Sequence, residues 1–317
     1  MSQTAAKKTQ RASKTAEFAA LFRALEYAFP KERRLFEDPF AIHFLSYDLQ
    51  LLACLARIPI LGKLILQLVD RTEPGARASG VARTRLIDDH LTHALSKGIQ
   101  QVVILGSGYD CRAFRIPECR QIRVFEVDQS GILNLKLARL NKLLPGLPRN
   151  VIFVRTDLNI DKLEQTLIRS GYDKNLPAFF IWEGVTQYLT EQAVQHTLQF
   201  IGETAPGSFL LFTYVHKQAI DSWLTGQKKR LIRQFVNQIG EPWIFGLFPE
   251  ELSAILSSHG LELIEDVDSM AFRKRYMNPH GPHINRYRFY RAALACVKRK
   301  STEPQIRFFR SFFRETE

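Results

Sequence analysis

The sequence predicts a doubly wound α/β fold: a mostly parallel, seven-stranded sheet behind an N-terminal helical cap, with a helical insertion after the fifth strand. Three observations carry that expectation. Between residues 98 and 300, short apolar runs alternate with helical patterns. The first run ends in a glycine turn, Gly106-Ser107-Gly108. The hundred residues before it show helical spacing and no strand pattern.

Residues 1–14 read as a polar, basic, disordered tail, and residues 15–97 as the cap. From Thr15 to Phe29 apolar residues recur at helical spacing (Phe18, Leu21, Phe22, Leu25), and Pro30 stops that helix. Asp38-Pro39 is expected to open a second helix carrying Phe40, Ile42, Phe44 and Leu45. Leu49 to Val69 is long and apolar enough to test against a bilayer span, which needs about 20 residues. Arg57, Pro59, Gly62 and Lys63 interrupt it, and charges at the centre of a span are costly, so it reads as two short helices bent at Pro59. A further helix, Val81 to Leu95, ends at Gly98.

The sheet then unfolds in order across residues 98–300. Gln101–Leu105 is the first strand and Ile122–Val127 the second, followed by a helix from Gln129 to Leu144. Val151–Val154 is the third strand, with a helix over Asp161–Arg169 closed by Gly171. Ala178–Trp182 is the fourth. Thr190 caps a helix reaching Glu203, and Pro206-Gly207 turns the chain into the fifth strand, Phe209–Tyr214. Residues 217–260 form a helical lid insertion. Leu261–Val267 and Arg288–Val297, joined by a loop containing Pro279-His280-Gly281-Pro282, close the sheet as a β pair. Residues 301–317 are a C-terminal tail.

Composition bounds the function. The 317 residues are 45% apolar and 24% charged, which excludes disordered, collagen-like and coiled-coil chains. Lysine and arginine outnumber acids 44 to 32, a formal charge of +12 that favours anionic partners. Aromatics are not interleaved with the basic runs outside the tail and no RNA-binding motif is present, so no specific nucleic-acid partner is expected. Four cysteines (Cys54, Cys111, Cys119, Cys296) without CxxC or Cys/His metal spacing, together with no apolar leader, fit a reduced, cytoplasmic protein without a metal.

In a parallel sheet, ligands bind beyond the carboxyl ends of the strands where strand order reverses. Strand one delivers Leu105-Gly106-Ser107-Gly108-Tyr109-Asp110 there, with Cys111 where a dinucleotide fingerprint needs its third glycine. A pyrophosphate needs helix N–H groups at close range; a cofactor without phosphates does not. Strand two ends in Glu126-Val127-Asp128, where a carboxylate can accept both ribose hydroxyls, and strand three in Asp157-Leu158, suited to an adenine edge. S-adenosylmethionine fits this ordered set. Each residue also has a plainer reading: Gly106 and Gly108 as a tight turn, Asp128 and Asp157 as helix caps, Glu183 as the cap of a loop.

These stretches resemble the leucine carboxyl methyltransferase family. The resemblance rests on Asp38-Pro39-Phe40-Ala41, Ala82-Arg83-Thr84 with Ile87-Asp88-Asp89, Gln101 to Arg115, Phe125 to Gln129, Thr156-Asp157-Leu158 and Trp182 to Leu189, in family order over roughly half the chain. It implies a Rossmann-like class I methyltransferase fold and S-adenosyl-L-methionine as cofactor. It further implies that Arg83 pairs with the methionyl carboxylate, Gly106 and Gly108 line the methionine, and Asp128 holds the ribose. Asp157 and Leu158 would meet the adenine, and Glu183 would lie near the cofactor amino group. Ser130 stands where many relatives have proline, which is expected to change the helix start and not the ribose contact.

The expected reaction is O-methylation of a carboxylate or hydroxyl on a small, acidic or hydrophobic acceptor. A protein C-terminus or carrier-bound acyl chain is the alternative, and an RNA modifier or a non-catalytic binder a further one. A carboxylate, with a pKa of about 4, is already ionised; a hydroxyl needs a base. Glu183, Tyr188, Tyr214 and His216 are the candidates for chemistry or for positioning the acceptor, with His216 equally readable as a polar loop residue. Lys228-Lys229-Arg230 with Arg233, and Arg273-Lys274-Arg275, read as solvated faces or as steering for an acidic acceptor. In the tail, Phe308, Phe309, Phe312 and Phe313 share a helical face that packs on the body or meets a membrane surface peripherally.

Overall fold

The computed structural model describes residues 3–72, 74–225, 243–277 and 288–298. Its sheet has seven strands: β1 (Gln101–Leu105), β2 (Arg123–Asp128), β3 (Val151–Arg155), β4 (Ala178–Trp182), β5 (Phe209–Val215), β6 (Leu261–Asp268) and β7 (Tyr290–Val297). Their spatial order is β3-β2-β1-β4-β5-β7-β6. The first five are parallel, and β7 lies antiparallel between β5 and β6. Strand order reverses between β1 and β4, so the carboxyl ends of these neighbours part there and leave a crevice.

Helices cover both faces, so the central strands have no polar side: every residue of β1, β4 and β5 is buried. Alternation sorts them into two cores. Val102, Ile104, Phe179, Ile181, Phe209 and Leu211 face one layer, and Val103, Leu105, Phe180, Trp182, Leu210 and Phe212 the other.

The cap departs from the expected one at its first two elements and follows it at the third. Helix α1 spans Gln3–Tyr27 and so starts upstream of Thr15, as its first residues are helix formers with no breaker among them. Asp38-Pro39 opens no full helix. The Asp38 carboxylate accepts from the backbone N–H groups of Phe40 (3.2 Å) and Ala41 (3.0 Å), and this produces only a 3₁₀ turn, Ala41–Phe44. Asp38 is fully buried, committed to other partners. Third, the long apolar stretch is two helices, α2 (Tyr47–Leu55) and α3 (Pro59–Thr72), with the break at Pro59 as expected. A Cβ on Gly62 would stand 2.3 Å from the Ala56 carbonyl oxygen, so the hairpin can close only with glycine there. No described helix is long and apolar enough to cross a membrane.

Helix α4 (Ala76–Ser96) leads into β1 through Gly98, whose φ of +93° suits glycine. A one-turn helix α5 (Arg112–Arg115) follows the glycine turn, α6 (Ser130–Leu143) follows β2, α7 (Leu163–Arg169) follows β3, and α8 (Glu191–Gly202) follows β4. Of the expected lid, α9 (Lys217–Thr225) is described; residues 226–242, with Lys228-Lys229-Arg230 and Arg233, lie outside the described residues. The later part of that insertion is no lid: α10 (Pro249–Ser258) buries Leu252 and Leu256 against the sheet. Between β6 and β7 the sequence reading missed α11 (Ser269–Tyr276), capped by Asp268, whose carboxylate accepts from Met270 and Ala271 N–H. The Pro279 loop and the Phe-rich tail lie outside the described residues.

Candidate functional site

A cavity of about 460 Å³ opens over the reversal point between β1 and β4. That is within the range of small-molecule sites. Its floor is the end of β1 and the glycine turn, one side is the ends of β2 and β3, and the other is the loop after β4. Helices α1 and α4 form its roof through Ala16, Phe18, Phe22, Arg23, Gly80 and Arg83, among others.

The turn is held by the neighbouring strand. Gly106 and Ser107 N–H both donate to the Val127 carbonyl (2.8 and 3.0 Å), and Gly108 N–H donates to Asp128 Oδ2 (2.7 Å). Three consecutive amides are thereby spent inside the protein. Gly106 (φ +66°) also runs against Val185: a Cβ would lie 2.3 Å from its Cγ2.

Asp128 accepts from Gly108 N–H and, at 2.7 Å, from Gln129 N–H. It therefore orients the turn and does not cap α6. Burial raises its pKa, and these two donors oppose the rise. Asp157 Oδ1 closes a short turn by accepting from Asn159 N–H (3.0 Å), while Oδ2 accepts from Gln129 Nε2 (2.9 Å). It too is not the cap of its helix. Asp128, Asp157 and Leu158 all line the cavity.

On the opposite side a chain of ion pairs ties the cap to the sheet. Arg83 Nε donates to Glu183 Oε1 (2.7 Å), and Arg112 Nη1 donates to Glu183 Oε2 (2.9 Å). Arg112 also holds Asp110 and, through Nε, Asp88 (2.8 Å). Arg115 Nη2 shares Asp88 (2.7 Å), and its Nε lies 3.8 Å from Asp38, which pairs with Arg23 at 2.8 Å. Four arginines thus face four carboxylates, with Asp38, Asp88 and Arg112 buried. Burial works against the charged forms here and the partners win. Arg112 and Arg83 hold Glu183 below the usual carboxylate range, and Arg112, with Lys136 and Arg23, brings Asp110 down to about 2. Arg83 additionally stacks on Tyr290, 4.9 Å from the ring centre.

Of the residues singled out from sequence, Arg83, Gly106, Gly108, Asp128, Asp157, Leu158, Glu183 and Tyr188 all border this one cavity. The Tyr188 hydroxyl accepts from Trp243 Nε1 (3.2 Å), and burial pushes its pKa up. Tyr214 and His216 are not among the lining residues. The Tyr214 hydroxyl donates to Asp266 (2.8 Å) and accepts from Arg291 (2.9 Å), a bracket across β5, β7 and β6. His216 Nδ1 accepts from Gln218 N–H (3.2 Å) at the start of α9, and its ring meets Phe248 edge-on, so it is a structural loop residue. Sequence reading missed Arg23, Asp110, Trp243 and Tyr290. Asp110 lay within the quoted turn motif; the others come from distant elements with no local signature.

A mostly parallel sheet with an antiparallel β7 between β5 and β6, an acid after β2 and a cavity at the strand reversal define a Rossmann-like α/β protein. The chain belongs to the leucine carboxyl methyltransferase family, whose sequence profile matches residues 16–202. A Streptomyces coelicolor protein assigned as an S-adenosyl-L-methionine-dependent methyltransferase is 37% identical over 147 residues, 46% of this chain and 52% of that protein. One from Frankia alni with the same assignment is 35% identical over 202 residues, 61% of this chain and 65% of its own. The chain spans about half to two thirds of the length of these relatives. Among solved structures, a protein of Thermobifida fusca assigned as a methyltransferase superimposes with a TM-score of 0.56 at 20% identity, covering 87% of this chain and 97% of that one. A DUF574-family protein of Streptomyces avermitilis gives 0.52 at 17% identity, covering 76% and 91%. These likenesses show the fold, that of the class I methyltransferases.

Proposed function

We propose that the chain is an S-adenosyl-L-methionine-dependent O-methyltransferase acting on the carboxylate of a small molecule. The cavity's residues fit that cofactor. Asp128 presents a carboxylate for ribose hydroxyls, Asp157 and Leu158 a polar and an apolar surface for the base, Glu183 an anion for the amino group and Arg83 a cation for the carboxylate. Arg83 engages Glu183 through Nε, and its two Nη groups make no hydrogen bond among the described residues. The Ser107 hydroxyl, buried at the wall, also has no partner among them. With the amides of Gly106, Ser107 and Gly108 occupied, the turn offers a phosphate none of those three backbone donors.

The cofactor supplies a methyl group already activated on a sulfonium, so the protein's task is to align an acceptor about 3 Å from it and keep water out. The cap helices roof the cavity, and Tyr188, Trp243 and Tyr290, with the aliphatic Ile244, offer a largely aromatic wall to the acceptor. The observation that favours a carboxylate is the lining of the cavity, which holds no histidine among the described residues and ties both Glu183 oxygens to arginines. Arginines hold Asp110 and Glu183 ionised and low, and burial raises Tyr188, so none of these is poised to take a proton from a hydroxyl near neutral pH. An acceptor that arrives ionised needs no such group.

The test is incubation with methyl-labelled S-adenosylmethionine and matched panels of carboxylic acids and phenols, followed by mass spectrometry. Products should carry one added CH₂ and lose the label in mild hydroxide, as esters do. Hydroxide-stable products would move the reaction to a hydroxyl; failure to bind the cofactor in calorimetry would remove the reading altogether.

A further inference from the structure

We propose that the outer face of the α2–α3 hairpin docks on an anionic lipid bilayer. This inference does not depend on the methyl-transfer reading. Helix α3 carries one polar stripe, Lys63, Gln67, Asp70 and Arg71, and is apolar round the rest of its surface. Ile65, Leu66 and Val69 pack on the core, as Leu49, Leu52 and Ala56 of α2 do. The opposite faces carry two parallel rows at four-residue spacing: Tyr47, Leu51 and Leu55 on α2, and Ile60, Leu64 and Leu68 on α3. Tyr47 is 80% exposed, Ile60 77%, Leu64 57% and Leu68 58%. Large apolar side chains left exposed on successive turns of two neighbouring helices mark an interaction site.

Charge selects the occupant. Arg57, Lys63 and Arg71 are exposed within and beside the two rows and outnumber the one exposed acid there among the described residues, Asp48, while Asp70 is taken by Arg77 at 2.7 Å. The whole chain carries +12. A second copy would meet this face by two-fold symmetry and set like charges opposite one another. Lipid headgroups of negative charge instead complement the cations while the acyl boundary takes up the leucine rows, the arrangement of interfacial helices. The placement suits a function. Helix α2 packs on α1, and α3 leads into α4; α1 and α4 roof the cavity, where Phe18 is itself exposed at the rim. Docking would set the cavity's roof beside the bilayer, within reach of an amphiphilic acceptor.

The experiment is sedimentation of the full-length protein with phosphatidylglycerol/phosphatidylcholine vesicles and with phosphatidylcholine vesicles, for the wild type and the neutral variant Leu64→Ser/Leu68→Ser. The expected result is binding to the anionic vesicles that falls at least tenfold in the variant, with an unchanged melting temperature. Should the double variant not fold, Ile60→Ser replaces it. Equal binding by the variant would place the contact elsewhere, on charge alone, and overturn the proposal. So would no binding by the wild type, or a dimer in sedimentation velocity that the substitutions dissolve.

Discussion

Arg83 and Glu183 stand 100 residues apart in the chain and meet through a single 2.7 Å hydrogen bond at the mouth of the strand reversal. One belongs to the cap and the other to the sheet, so the bond ties the roof of the cavity to its floor. Glu183→Gln keeps the shape and removes the charge. It should weaken S-adenosylmethionine binding at least tenfold in calorimetry and cost about 2 kcal/mol in urea unfolding.

Asp128→Ala strands the Gly108 and Gln129 amides and removes the acceptor for ribose hydroxyls. Affinity for the cofactor should fall more than tenfold. Unchanged affinity by calorimetry would contradict the ribose assignment.

Asp110 titrates at about 2 in the folded protein, against 3.8 for a free aspartate, because Arg112, Lys136 and Arg23 outweigh its burial. A depressed carboxylate stabilises the fold above the unfolded pKa and loses that contribution as pH falls through the folded one. It is worth about 2 kcal/mol at neutral pH and disappears between about pH 4 and pH 2. Asp110→Asn should flatten that limb of the acid-unfolding curve followed by circular dichroism.

Glu126 and Lys136 form a fully buried pair, 2.6 Å apart, behind Asp128. Burial pushes Glu126 up to about 7 despite its partner. A raised carboxylate has the opposite sign: stability declines as pH rises from about 4.5 through about 7. Lys136→Met should therefore cost about 3 kcal/mol at pH 8 and far less at pH 5. Adding Glu126→Gln should erase that pH dependence in denaturant titrations.

The tyrosines separate chemistry from scaffold. Tyr188→Phe, at the cavity wall, should change kcat/KM for the acceptor. His216→Ala should leave it within twofold, and Tyr214→Phe should cost about 1 kcal/mol of stability without touching cofactor affinity. A large loss of turnover in His216→Ala would restore that residue as a base.

The central strands β1, β4 and β5 were legible because they are buried on both faces and so read as near-continuous apolar runs. Gln101–Leu105 and Ala178–Trp182 match residue for residue. Binding residues tied to the ends of those strands were legible for the same reason. What escaped was set by distant partners. Asp38 looked like a helix start, but Arg23, brought in from α1, takes its carboxylate. Tyr214 near the end of β5 and His216 just after it stand where catalytic candidates would, yet β7 and β6 supply Arg291 and Asp266 for the first, and the Gln218 amide donates to the second. Helix α11 did leave a local signal, Asp268-Ser269 before Met270 and Phe272, obscured by the strand pattern running into it.

The crossed amides of the glycine turn have a consequence for selectivity. Polyphosphate nucleotides share the adenosine half of the proposed ligand and compete for the same bed. The Val127 carbonyl holds the Gly106 and Ser107 amides and the Asp128 side chain holds that of Gly108, so these three donors are not open to a triphosphate. Two of those contacts are inscribed in strand register, beyond the reach of side-chain substitution, and only the third hangs on a replaceable carboxylate.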